Sequence, residues 1–344
     1  MLIVLSGSES IHKRFLQRKI TAALNTFTVD GYTVDFNSYP FKVLNSDGEV
    51  VMQAGSKSSP LNSYGEVIQL TEEQEAAIEG SDYGAGIDTL ISELDGEETL
   101  DKILQLEQDL FITKEAWFKN DLSSEGYDFS IIEDLESDYT DAYNRLITNY
   151  NNKTIDNYVV CGIFGKHTIE QLRTDLGAEN VHVVNIIRNP SVSWFMHQKT
   201  DAFYALPSEA ELGGRSGDTE KFVQSQLSCI ALKSLDYVQT VKFEDIIQTG
   251  LTVLGQQVTL PVGYESYNNK ITQFENDVIV PQGLATADTI TDINTKLSNF
   301  TFSTMVEILA ESSLDSSTVD AAFPSNFFTE LGYTALTYAE ITSS

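Results

Sequence analysis

Four stretches of the chain, residues 1–5, 158–164, 181–187 and 238–243, read as short apolar runs rather than alternating ones. Each neighbours a stretch with apolar residues at helical spacing: residues 11–24, 168–176, 192–199 and 220–235. Strands apolar on both faces, alternating with helices, predict a parallel sheet covered on both sides. Residues 31–52 do alternate, with Asp47-Gly48 as a turn, and predict a β-hairpin. Further helices are expected over 71–78, where Thr71 is the N-cap and Gln74 closes a capping box, along Leu100, Ile103, Leu104, Leu106, Leu110 and Phe111, and over 131–150. The expected fold class is α/β, three layers around a central parallel sheet, with a largely helical insertion. Ligands of such sheets bind beyond the carboxyl ends of the strands, so the loops after the four runs are where chemistry belongs.

Charge refines this picture. The 344 residues carry 51 Asp and Glu against 21 Lys and Arg, a formal net charge of −30. Of this, −20 lies in the 76 residues from Glu66 to Asp141, which hold 23 acids and only Lys102, Lys114 and Lys119. Such a polyanion is repelled by phosphate backbones and anionic lipid, so no nucleic-acid partner and no membrane partner is expected. The acidic block reads as a solvated helical face or as a docking surface for a basic partner or a neighbouring subunit. Apolar residues at 41% and aromatics at 10% exclude a disordered chain. No Lys or Arg follows Lys296, whereas Phe300, Phe302, Phe323, Phe327, Phe328, Tyr333 and Tyr338 do, so the tail is expected to pack on its own core or on another chain. Cys161 and Cys229 read as buried free thiols of a reducing compartment. The apolar start stops at Ser6-Gly7 with no basic residues before it, which reads as a first strand rather than a signal peptide and places the protein in the cytoplasm.

The loop after the first run, Gly7-Ser8-Glu9-Ser10-Ile11-His12-Lys13-Arg14, has the spacing of a P-loop. Backbone amides at a helix start hold phosphate, and Lys13 adds a point charge. His12 stands where the second glycine belongs, and Arg14 where a hydroxyl would hold Mg²⁺, so a magnesium-dependent kinase or ATPase is disfavoured and no metal is expected. His12, Lys13, Arg14, Arg18 and Lys19 make a basic island that reads either as a solvated face or as an anion site.

The third run ends in Arg188-Asn189-Pro190, followed by Ser191-Val192-Ser193-Trp194-Phe195. With the P-loop-like segment, this resembles the P-loop sulfotransferase-like family, in which an arginine and a serine hold the 3′-phosphate of the sulfate donor. Gly165-Lys166-His167 after the second run falls where that family has its catalytic histidine, and Lys242-Phe243-Glu244-Asp245-Ile246 is similar to a family strand end. The resemblance covers residues 1–25 and 155–250. It implies a P-loop-type core, 3′-phosphoadenylyl sulfate as co-substrate and transfer of a sulfuryl group to a hydroxyl. It implies His167 as general base and Lys13 as charge stabiliser. Donor contacts would come from Gly7, Ser8, Ser10, His12, Lys13, Arg14, Arg188 and Ser193, with Arg215 of the Gly213–Asp218 segment closing over them.

Two other functions remain open. One is a non-catalytic assembly protein on the same fold, such as a phage tail or neck component incorporated into a virus particle, self-associating through the acidic block and the tail. The other is a nucleotide or small-molecule kinase. The expected organisation is an α/β core of residues 1–30 and 151–260, a hairpin and acidic helical insertion of residues 31–150, and a packing or interaction segment of residues 261–344.

Overall fold

The computed structural model describes residues 1–8, 13–37, 41–53, 97–111, 135–196, 216–259, 286–301, 303–304 and 324–343. The expected helix over 71–78, Ser10, His12 and Arg215 lie outside them, as does the side chain of Arg14.

The four apolar runs are strands of one parallel sheet: β1 (Leu2–Gly7), β6 (Tyr158–Gly162), β7 (Val181–Ile187) and β8 (Val238–Lys242), in the order β6-β1-β7-β8. Between β1 and β6 lie four short antiparallel strands, β2 (Thr28–Val29), β3 (Tyr32–Asp35), β4 (Lys42–Leu44) and β5 (Val50–Gln53), paired in sequence order. The expected hairpin is thus a four-stranded meander. Its β4–β5 turn does fall at Asp47-Gly48, where the Asn45 side-chain oxygen accepts from the amides of Asp47 and Glu49.

Alternation along β1 explains the layers. Ile3 and Leu5 face one core with α1 (Lys13–Leu24, through Leu16 and Ile20), α7 (Phe243–Thr249, through Phe243 and Ile246) and the hairpin of β9 (Leu251–Val253) and β10 (Gln256–Val258). Leu2 and Val4 face the other. That core contains Ile169 and Leu172 of α4 (Lys166–Leu176) and Leu232 of α6 (Ser216–Lys233). It also contains Phe36, Phe41 and Val43 of the meander, Ile103 and Leu110 of α2 (Glu97–Phe111), and Tyr143 and Leu146 of α3 (Leu135–Asn151). The molecule is therefore α/β, with a parallel sheet flanked by helices on both faces.

The residues between β1 and β6 share the sheet's own core, and polar bonds reinforce the join. Gln17 of α1, wholly buried, donates to the carbonyls of Val159 (2.8 Å) and Leu110 (3.2 Å). The Tyr143 hydroxyl donates to Asp175 at the end of α4 (2.7 Å).

The aromatic tail also packs inward. Phe327, Phe328 and Leu331 of α9 (Phe327–Leu331) are buried against α6, Phe300 and α8 (Ala287–Ser298), and Ile341 of α10 (Tyr338–Ser343) joins Ile290, Phe195 and Met196. Phe195 and Met196 belong to α5, residues 190–196, which starts at Pro190 rather than at 192.

Gly250, between α7 and β9, has φ +79° and ψ −175°, a region essentially closed to residues with a side chain. An added Cβ would stand 2.6 Å from the carbonyl oxygen of Val258. Gly250→Ala is therefore expected to destabilise the protein by ~2 kcal/mol or more, read as a lower urea midpoint at constant slope.

Candidate functional site

In the order β6-β1-β7-β8 the chain leaves β1 towards β6 on one side and returns past it to β7 on the other. The crevice between the carboxyl ends of β1 and β7 is the topological switch point, where open α/β sheets bind ligands. Three sequence-derived segments converge there.

Gly7 ends β1, paired with Ile186, and the Ser8 amide continues the ladder to the Ile186 carbonyl (2.9 Å). The Ser8 hydroxyl, fully buried, accepts the Arg188 backbone N–H (3.1 Å) and lies 3.5 Å from Cys229 Sγ of α6. Ser8 thus braces the corner, with both its N–H and its Oγ engaged. Lys13, at the start of α1, folds back so that its ammonium donates to the Gly7 carbonyl (3.4 Å). Lys13 and Arg188 are each only 8% exposed. The Arg188 guanidinium carbon lies 5.1 Å from the centroid of the Phe243 ring, a cation–π contact that orients it. Two buried cationic residues of a strongly acidic chain are thereby tied to the Gly7–Ser8 corner, Lys13 by its ammonium and Arg188 by its backbone amide.

His167 approaches from the other neighbour of β1. It is exposed in the first turn of α4, and the loop before it is fixed to β1 by Ser6, whose hydroxyl donates to the Phe164 carbonyl (3.2 Å) and accepts the Phe164 amide (3.0 Å). Ser193 is placed differently. Because α5 begins at Pro190, Ser193 sits in its first turn, fully buried, and its hydroxyl accepts from the Gln226 side chain (3.4 Å). That hydroxyl thereby takes part in the α5–α6 contact.

Residues that motif reading passed over complete the surroundings. Glu244, in the segment similar to a family strand end, occupies the first turn of α7. One of its carboxylate oxygens accepts the Asn189 amide (3.3 Å) and the other the Tyr333 hydroxyl (2.7 Å). Burial, then the Glu244 carboxylate beside it, pushes the Tyr333 phenol well above its ordinary range. The Asn189 side chain donates to the Thr334 carbonyl (2.9 Å), and the Ser191 hydroxyl accepts the Leu336 amide (3.0 Å) and donates to Asn294 (2.8 Å). In Arg188-Asn189-Pro190-Ser191, then, the Asn189 and Ser191 side chains are committed to the C-terminal segment, while the Arg188 guanidinium lies over Phe243. The polar groups of Asn189 and Ser191 anchor the C-terminal segment.

Among the described residues no helix is long and apolar enough to cross a membrane, and no three His, Cys, Asp or Glu side chains gather in a metal-binding group. Cys161 and Cys229 are buried thiols, neither in a disulfide. The chain matches no family model, no curated protein and no solved structure.

Proposed function

We propose that this chain binds a phosphate- or sulfate-bearing nucleotide at the carboxyl end of β1 and works as a sulfotransferase-like transferase of the P-loop type. The observation that supports the reading is the pair of buried cationic residues, Lys13 held by its ammonium and Arg188 by its backbone amide at the Gly7–Ser8 corner of the switch point. An anionic ligand at the strand ends would meet two cations already withdrawn from bulk water, where charge–charge attraction is stronger than at an exposed surface.

The residues fit 3′-phosphoadenylyl sulfate in part. Lys13 and Arg188 suit its phosphates, and the Ser193 hydroxyl, which also accepts from Gln226, sits one turn into the helix that follows Arg188. The donor, when bound, supplies the sulfuryl group. His167, exposed in the first turn of α4, takes the proton of the acceptor hydroxyl at an imidazole nitrogen. Lys13 holds the negative charge that gathers on the departing phosphate.

Thermal shift with adenosine 3′,5′-bisphosphate, in parallel with ATP plus Mg²⁺, tests the reading. The bisphosphate is expected to raise the melting temperature in proportion to the logarithm of its concentration above Kd. A shift with ATP and Mg²⁺ alone would move the assignment to a kinase, and no shift with either would leave the non-catalytic assembly protein. His167→Ala is expected to keep the bisphosphate shift while lowering sulfuryl transfer to a hydroxyl acceptor by about 10²–10⁴-fold. Unchanged turnover would remove His167 from the reaction.

A further inference from the structure

We infer that Glu244 and Tyr333 are a clamp that positions Arg188, which makes the C-terminal segment a working part of the anion site. This rests on the functional reading above only for its consequence in ligand binding.

The clamp is built on both sides of Arg188. Its own amide goes to Ser8 on β1 (3.1 Å). The next amide, of Asn189, goes to one oxygen of Glu244 (3.3 Å), and the preceding carbonyl, of Ile187, lies 3.3 Å from the Tyr333 hydroxyl. That hydroxyl donates to the nearer, second oxygen of Glu244 (2.7 Å). One carboxylate therefore joins the β7 exit to a residue more than 140 positions later in the chain. The guanidinium of Arg188 packs on Phe243, the residue before Glu244, so two consecutive positions of α7 set its backbone and its head.

Tyr333 is itself held firmly. Its ring lies 4.4 Å from the Lys242 ammonium, and that ammonium donates to the neighbouring Gly332 carbonyl (2.9 Å). The Thr334 carbonyl receives the Asn189 side chain (2.9 Å). A flexible arginine loop would lose affinity to the entropy of ordering, and a clamp fixed before binding removes that loss. Glu244 and Tyr333 act through Arg188, so both are positioning residues.

Tyr333→Phe keeps the ring and removes only the hydroxyl. Hydrogen exchange at residues 187–189 is expected to speed up about tenfold, while β6 keeps its protection. Affinity for adenosine 3′,5′-bisphosphate is expected to fall about tenfold in the otherwise wild-type chain and to change no further when Tyr333→Phe is added to Arg188→Ala. A merely structural tyrosine would weaken binding equally in both backgrounds, and that result overturns the inference. Unchanged exchange at 187–189 overturns it whatever the ligand does. Failure of the wild-type chain to bind the bisphosphate would instead overturn the functional reading, with exchange still deciding the clamp.

Discussion

Lys13→Met is expected to weaken binding of adenosine 3′,5′-bisphosphate by about 100-fold while leaving the ligand-free protein as stable as before or more so. The two effects have different origins. A charge-assisted hydrogen bond contributes ~1.5–3 kcal/mol, and the upper part of that range is about two powers of ten in Kd. In the free protein the same ammonium, 8% exposed, has been taken out of water, and its bond to the Gly7 carbonyl is long at 3.4 Å. Methionine has nearly the same length and no desolvation penalty, and replacing buried charge by apolar volume is often neutral or stabilising. Titration calorimetry reads the affinity and urea unfolding the stability. Equal affinities would remove Lys13 from the site. A fall in stability matching the fall in affinity would make it a structural residue.

How far such residues could be found without coordinates depends on the range of the signal. β1, β6 and β7 were legible because a strand buried on both faces carries its apolar residues contiguously, and half-buried β8 because it continues their alternation with helices. The β9–β10 hairpin was not. Its strands are three residues each, and its turn is Leu254-Gly255, with Leu254 at φ +49° and exposed, where the usual signal is Asn-Gly or Asp-Gly. The meander reads as two strands in sequence because β2 is only two residues long and β4 only three.

The site divides the same way. Lys13 and Arg188 are visible as cations following apolar runs, and both reach the switch point. The fate of Ser193 depends on where α5 begins and on Gln226 across a helix–helix contact, neither of which its neighbours in the chain report. Glu244 carries an ordinary helix-start pattern, and nothing local marks Tyr333 or Thr334 as its partners at the β7 exit. Strand order is equally silent in sequence, yet it alone puts β1 between β6 and β7 and so brings His167 and Arg188 to opposite sides of Gly7.

Phe36→Ala is expected to lower global stability by ~3–5 kcal/mol, a large share of the ~5–15 kcal/mol typical of a folded domain. Phe36 follows β3, in the stretch that sequence reading assigned to an insertion. It is 1% exposed, with its ring edge-on to Phe27 (4.9 Å between centroids) and tilted against Phe41 (5.5 Å). Aromatic pairs add ~0.5–1.5 kcal/mol beyond the area they bury, so truncation removes both a large apolar surface and this geometry. The informative part is where the loss appears. Phe36 shares one core with Leu2 and Val4 of β1 and Tyr158 and Val160 of β6. Its removal should therefore speed hydrogen exchange in β1 and β6 as much as in β3 and β4. An insertion with its own core would behave otherwise, with exchange rising in the meander alone and the parallel sheet keeping its protection. Because Leu5 and Gly7 continue the strand that Leu2 and Val4 anchor, a shared loss would also mean that the scaffold of the anion corner depends on the region between β1 and β6.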